Sequence, residues 1–209
     1  MKRAFTLAEI LITLGVIGVI AAMTLPTVIE NYQKQRTINQ LKKVYTVLNQ
    51  AFKMSEIDND SYENWGNINE MNYTNYMNKY WKPYLKVIKV CSTYQTCGYS
   101  KQYPWVNANN TETVWRKIVG TSFILNDGTL ITFWNNTQIM VDLNSYSKPN
   151  KYGRDLFVFS LSKKGVMAAG VYLDDFRYCC KTYQGPDSGE FCSGKIVHDG
   201  WKIKDDYPW

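Results

Sequence analysis

The stretch Lys2–Pro26, KRAFTLAEILITLGVIGVIAAMTLP, decides how the rest of the chain is read. It opens with two cations, passes through Phe5-Thr6-Leu7-Ala8-Glu9, and then carries no charge from Ile10 to Ile29. Twenty helical residues at ~1.5 Å rise each reach ~30 Å, the hydrocarbon thickness of a bilayer. Leu11, Ile12, Leu14, Val16, Ile17, Val19 and Ile20 leave no polar stripe. A helix apolar all round belongs in lipid or deep inside protein. The expectation is a membrane segment.

Glu9 sits at the lip of that run, where an ionised carboxylate is costly unless it is paired. No Lys or Arg lies between Ala4 and Lys34 to pair with it. A cation would arise nearby if the chain were cut just before Phe5, because the cut exposes a new amino terminus. Lys2-Arg3-Ala4, Phe5-Thr6-Leu7-Ala8-Glu9 and the apolar run together resemble the class III signal of type IV pilins and type II secretion pseudopilins. The resemblance spans roughly residues 2 to 30. It implies cleavage by a prepilin peptidase between Ala4 and Phe5, N-methylation of Phe5, and pairing of Glu9 with the new terminus of a neighbouring subunit. The family usually has Gly before the cut, where this chain has Ala4. Two other readings stand beside it. A conventional secretory signal would be removed near Ala21-Ala22-Met23, and a plain anchor would be retained. An acid at the start of the apolar run and the helical pattern that follows both argue against the secretory signal.

Beyond Pro26 the pattern becomes amphipathic. Ile38, Leu41, Val44, Tyr45, Leu48, Ala51 and Phe52 recur at spacings of three and four, and polar residues fill the intervening positions. The helix is expected to fade between Met54 and Asp58, ahead of Asp58-Asn59-Asp60-Ser61. From Phe5 to about Phe52 this makes one rod of roughly 70 Å, its first half in lipid and its second half against a globular head. Pro26 removes one backbone hydrogen bond inside the rod, so a kink or local melting is expected there. The resemblance places a loosening of the filament helix at the same point. Gly15 and Gly18 allow close approach of neighbouring helices, but their spacing is not GxxxG. The domains follow as a leader over 1–4, the helix over 5–55 and the head over 56–209.

Residues 56 to about 120 read as loop-rich, with a short helix around Met71 to Tyr84. Tyr73, Tyr76, Met77, Tyr80, Trp81 and Tyr84 recur near helical spacing and read as core packing against the long helix. Past Thr121 the chain reads as strands: Ser122–Leu125, Thr129–Trp134, Gln138–Leu143 and Asp155–Leu161. Asn126-Asp127-Gly128 between the first two is a hairpin signal. Short strands after one long helix predict an α+β fold, an antiparallel sheet packed on that helix. The segment from Val141 to Phe159 is also similar to one in pilin-like proteins, where it forms a strand, a polar loop and a returning strand. Some pseudopilins hold calcium in a late loop. A hard cation wants about six to eight oxygens, and Asp142-x-Asn144 supplies two, so Asp142, Asn144 and Asp155 read as turn and strand-end residues.

At 209 residues the chain suits one membrane helix and one modest domain. Its net charge of +6 is scattered without a block of like charges, so no nucleic-acid patch is expected. Cys91 and Cys97 flank a short loop, while Cys179, Cys180 and Cys192 form a second group. Disulfides are favoured in a head outside the cytoplasm, with Cys192 bonded to Cys179 or Cys180 and one thiol left over. Neither group has the spacing of a zinc site, and the chain's single histidine is His198. His198 reads as a structural residue in a strand over Lys195–His198, and no catalytic motif is present. The expectation is a structural subunit of a type IV pilus-like filament or a secretion pseudopilus, not an enzyme and without cofactor or metal. Its implied partners are the prepilin peptidase, other pilin or pseudopilin subunits, an inner-membrane assembly platform and membrane lipid. The subunit would first be a single-pass inner-membrane protein with its head outside the cytoplasm, and then part of a filament. The alternative is a rarer surface-binding module that presents an aromatic, disulfide-closed head.

Overall fold

Helix α1, Leu7–Asn59, carries the amphipathic stripe onto the sheet. A computed structural model describes residues 6–92, 94–101, 103–112, 121–135, 137–173 and 176–209. The chain divides into two compact units, Met1–Arg36 and Thr37–Trp209. Within the second unit the buried side of α1 is Ile38, Leu41, Val44, Leu48, Ala51, Phe52 and Ser55, which is the predicted stripe with Ser55 added and with Tyr45 only half-buried. The helix ends at Asn59, just beyond the expected fade. Asp60 takes the left-handed conformation at φ 70°, and its Oδ1 accepts from the Ser61 N–H. Short polar side chains tolerate that conformation and stop a helix there.

Among the described residues six strands form one antiparallel meander, in the order β1 to β6. They are β1 Val87–Cys91, β2 Ser122–Leu125, β3 Leu130–Asn135, β4 Gln138–Asp142, β5 Leu156–Ser162 and β6 Gly165–Ala168. The Asn126-Asp127-Gly128 hairpin joins β2 to β3 as expected. Gly128 supplies φ +85°, and Asp127 Oδ1 accepts from the Thr129 N–H. The other carboxylate oxygen of Asp127 meets Lys43 Nζ at 2.7 Å, pinning the turn to α1.

The sheet registers set two apolar rows across the face toward α1. One is Phe123, Ile131, Val141 and Phe157, and the other is Phe133, Ile139, Phe159 and Ala168. Both rows share a core with Leu41, Val44, Leu48 and Phe52. The intervening residues point the other way, where Ile124, Leu130, Met140, Leu156 and Val158 pack with Tyr99, Trp105 and Tyr152. Strands covered on both faces need apolar residues at consecutive positions. That explains the runs Phe123-Ile124-Leu125 and Leu156-Phe157-Val158-Phe159.

Among the described residues three short α-helices follow α1 before β2: α2 Ile68–Met71, α3 Tyr73–Tyr80 and α4 Tyr94–Cys97. Tyr76, Met77, Tyr80 and Trp81 are buried, so the aromatic spacing reflects core packing. Trp65 stacks on Tyr80 with ring centroids 4.6 Å apart, and Trp81 lies 5.0 Å from Phe133.

Several elements differ from the sequence reading, the short helices α2 and α4 in the loop-rich stretch among them. Strand β1 lies in the stretch read as loop, and β6 extends the sheet beyond β5. Segment 195–198 is helical, part of α5 Cys192–His198, not a strand. Its β-branched pair suggests extension, but Cys192 and Ile196, four residues apart, both bury in the core and require helical spacing. At the β6 edge Asn49 acts as a substitute strand. Its Nδ2 donates to the Val166 carbonyl at 3.0 Å, and its Oδ1 accepts from the Val166 N–H at 3.2 Å.

Leu48 is fully buried under the sheet, whereas Met54 is 52% exposed on the same helix. Leu48→Ala should lower the unfolding free energy of the head by about 3 kcal/mol in urea titration. Met54→Ala should move it by less than about 0.5 kcal/mol. Equal effects would mean that the stripe does not carry the packing.

Candidate functional site

The residues singled out from the sequence fall in three places. The first is the start of α1. Thr6 and Glu9 satisfy one another there: the Thr6 N–H and Oγ1 both donate to Glu9 Oε2 at 2.8 Å, and the Glu9 N–H donates to Thr6 Oγ1 at 3.3 Å. This reciprocal arrangement is a capping box, which satisfies N–H groups that a helix start otherwise leaves orphaned. Glu9 therefore has a partner within its own chain. The spacing Thr6-x-x-Glu9 is the sequence signal of this box. Ala4 and Phe5, the residues on either side of the expected cut, lie outside the described residues.

From Leu7 onward the large apolar side chains of this segment are exposed, Ile12 at 67% and Ile17 at 62% among them. The helix is long and apolar enough to cross a bilayer, as a signal sequence near an N-terminus also is. It continues through Pro26, which lies inside α1. The missing proline N–H leaves the carbonyl of Ala22, four residues earlier, without its helical donor. Thr24 Oγ1 donates to the Ile20 carbonyl at 3.0 Å one turn away. Among the described residues, nothing beyond the adjoining backbone of the helix lies within 4 Å of a Cβ added at Gly15 or Gly18.

The second place is the covalent and ionic lacing of the head. Cys91 bonds to Cys97, and Cys179 bonds to Cys192. That choice, open in the sequence, is made by burial. Cys179 and Cys192 are both fully buried in the α1-side core, while Cys180 is a half-buried free thiol. Its Sγ contacts the Arg177 carbonyl at 3.0 Å and Thr182 Oγ1 at 3.3 Å. His198 closes α5 beside Asp199, with its ring 4.8 Å from Phe176. Asp199 also receives Lys195 at 3.0 Å and Lys204 at 2.7 Å, and Lys195 reaches Asp206 at 2.7 Å. Burial opposes the Asp199 charge, yet the two lysines hold its carboxyl below the usual range. The network ties α5 to the C-terminal segment.

Asp142, Asn144 and Asp155 meet in the β4–β5 loop. Asp142 is fully buried. Its Oδ2 accepts from Tyr99 Oη and Trp105 Nε1, both at 2.9 Å, and its Oδ1 accepts from the Asn144 N–H. Asp155 accepts from the N–H groups of Asn150 and Lys151. Burial, then the neighbouring charge of Asp155, pushes the Asp142 carboxyl well above the usual range, and burial raises Asp155 as well. Among the described residues no three His, Cys, Asp or Glu side chains gather as a metal ion requires. Donors occupy the Asp142 oxygens, and the carboxylate serves as a hub joining the Tyr99–Trp105 layer to the sheet.

Two outcomes follow for the head. A raised carboxyl pKa means that the folded state binds a proton which the unfolded chain, with its carboxyls near ~3.9, has already released. This contribution to stability is therefore present in acid and is lost as pH rises through the folded-state pKa. Thermal melting from pH 5 to pH 7 should show a downward slope that Asp142→Asn flattens, and an unchanged slope in the variant would exclude the carboxyl pair as its source. Separately, non-reducing peptide mapping should recover the pairs Cys91–Cys97 and Cys179–Cys192 with alkylation at Cys180 alone. Recovery of a Cys180–Cys192 peptide would overturn the pairing.

Comparison with curated proteins gave no match, and comparison with solved structures gave none either. A family model matches residues 27–174, beginning just after Pro26 and taking in the amphipathic part of α1 and the sheet. The chain therefore belongs to the family of unknown function described as DUF6613.

Proposed function

We propose that the protein is a structural subunit of a type IV pilus-like filament or a type II secretion pseudopilus, matured by a prepilin peptidase. The observation that carries this reading is the start of α1. A single carboxylate, Glu9, stands at the mouth of a charge-free apolar run on the same helix that packs beneath the head's sheet. The family match does not extend over that run, so the proposal rests on residues 2 to 30 themselves.

In the proposed cycle the apolar segment holds the subunit in the inner membrane, with the head and its disulfides outside the cytoplasm. Cleavage between Ala4 and Phe5 creates an amine four residues before Glu9. In the lone subunit the capping box keeps Glu9 satisfied. On assembly the apolar segments of many subunits bundle, and Glu9 meets the amine of a neighbour. Burying one member of such a pair alone costs several kcal/mol, so the pairing selects axial register. The exposed helix around Gly15 and Gly18 provides surface for that bundling.

Intact mass and N-terminal peptide mapping of protein taken from its native membranes test the processing step. A chain beginning at N-methylated Phe5 is expected, whereas one beginning near Met23 would identify an ordinary secreted protein. Substitution at Glu9 separates charge pairing from capping. Gln serves in a capping box as Glu does but carries no charge. Glu9→Gln and Glu9→Ala should both insert and be cut, yet both should enter filaments about tenfold less or worse. Normal incorporation of Glu9→Gln would reduce Glu9 to a helix cap and remove the register argument.

A further inference from the structure

Within the head α1 and β5 run side by side in the same direction. Thr37 Oγ1 donates to the Arg154 carbonyl at 3.3 Å, Tyr45 stacks on Phe159 with ring centroids 6.0 Å apart, and Asn49 meets Val166. One end of the head is therefore the end at which Thr37 enters it. The β4–β5 loop and the β2–β3 hairpin, held by Lys43, stand at that end. The C-terminal segment joins them, with the Trp209 ring 4.9 Å from the Arg154 guanidinium.

This end gathers cations that the sequence spreads over distant segments. Lys148 lies in an exposed run from Tyr146 to Pro149. Lys86, also exposed, accepts the Asn126 N–H of the hairpin on its carbonyl at 2.9 Å. Lys42 Nζ sits 5.4 Å over the Trp201 ring, and Arg154 adds its guanidinium. The acids of the same end are engaged. Asp127 receives Lys43, while Asp142 and Asp155 are buried and take Tyr99, Trp105 and backbone donors. Asp199 and Asp206 take Lys195 and Lys204. Exposed Asp205 is offset by exposed Lys202. The charges of Lys42, Lys86, Lys148 and Arg154 are left over. At the opposite end Glu56, Asp58, Asp60 and Glu63 leave no such surplus.

We infer that the Thr37 end of the head docks on an anionic bilayer surface. The inference rests on the membrane reading of the apolar run. Thr37 lies eight residues beyond Ile29, the last residue of that run, so the chain between them spans no more than about 29 Å. The anchor thus keeps the basic end within reach of headgroups and makes docking intramolecular, at an effective concentration on the order of millimolar. A weak attraction at each cation then suffices. The aromatic residues suit the same interface. Tyr146 is 56% exposed and Trp209 half-buried, and rings with an apolar body and a polar edge settle at headgroup depth. A nucleic acid would answer the same charges, but nothing tethers it beside Thr37.

The test uses the full chain in lipid nanodiscs of phosphatidylcholine alone or with about one third phosphatidylglycerol. Hydrogen exchange is followed by mass spectrometry over residues 144–150 and over the β5–β6 turn at the other end. Exchange over 144–150 should be about threefold slower or more in the anionic discs, and about 0.5 M sodium chloride should remove the difference. The β5–β6 turn should exchange alike in both. Lys148→Glu, at an exposed side chain, should keep the wild-type melting temperature and abolish the slowing, whereas Lys163→Glu should leave it intact. Equal exchange of a chain retained in both discs, or slowing that survives in Lys148→Glu, would overturn docking alone. Slowing by duplex DNA in phosphatidylcholine discs, with none in the anionic discs, would assign the surface to nucleic acid instead. Failure of the chain to enter the discs would overturn docking together with the membrane reading.

Discussion

Burial of the central strands on both faces is the constraint on which the head depends. A sheet with one wet face would alternate apolar and polar residues, and a helix on the other face would complete it. Here Ile124, Leu130, Met140 and Val158 turn away from α1 and still need cover. The cover comes from a layer that has no long element among the described residues, in which Tyr99 and Trp105 are buried and the Cys91–Cys97 bond closes the chain. Such a layer cannot satisfy its polar groups through strand pairing or long helices. Asp142 answers that need by taking the Tyr99 and Trp105 donors onto one oxygen. The cost is a carboxyl placed where its charge is disfavoured, beside a second carboxyl.

The same economy of partners governs the edges. β6 ends the sheet against α1, where Asn49 supplies both a donor and an acceptor to Val166. At the opposite edge β1 carries an irregularity between Val87 and Lys89 and exposes Ile88. A bulge and a lysine on an edge strand discourage pairing with another chain. The C-terminal segment is held inward, with Tyr207 Oη donating to the Gly153 carbonyl and Trp201 packed near Tyr45.

Much of this was legible in the residues. Hydrophobic spacing located the stripe from Ile38 to Phe52, and Asn126-Asp127-Gly128 located the first hairpin, because both signals act over a few residues. β1 was hidden because its five residues follow a proline-containing turn and expose Ile88, Lys89 and Val90. α5 departs from local preference: Ile196 and Val197 favour extension, and long-range burial of Cys192 and Ile196 overrides it. The capping box is legible in Thr6-x-x-Glu9, because it too joins residues within one helical turn.

By itself the sequence determined the α+β class, the long N-terminal helix with its apolar first part, the packing stripe and the first hairpin. These follow from periodicity and turn chemistry, which neighbouring residues carry between them. Only the tertiary structure decided that Cys179 and not Cys180 bonds to Cys192, that Asp142 gathers Tyr99 and Trp105, and that Lys86, Lys148 and Arg154 stand at one end of the head. Each of these joins residues separated along the chain. Their meeting depends on which faces are buried together, and no local pattern encodes that.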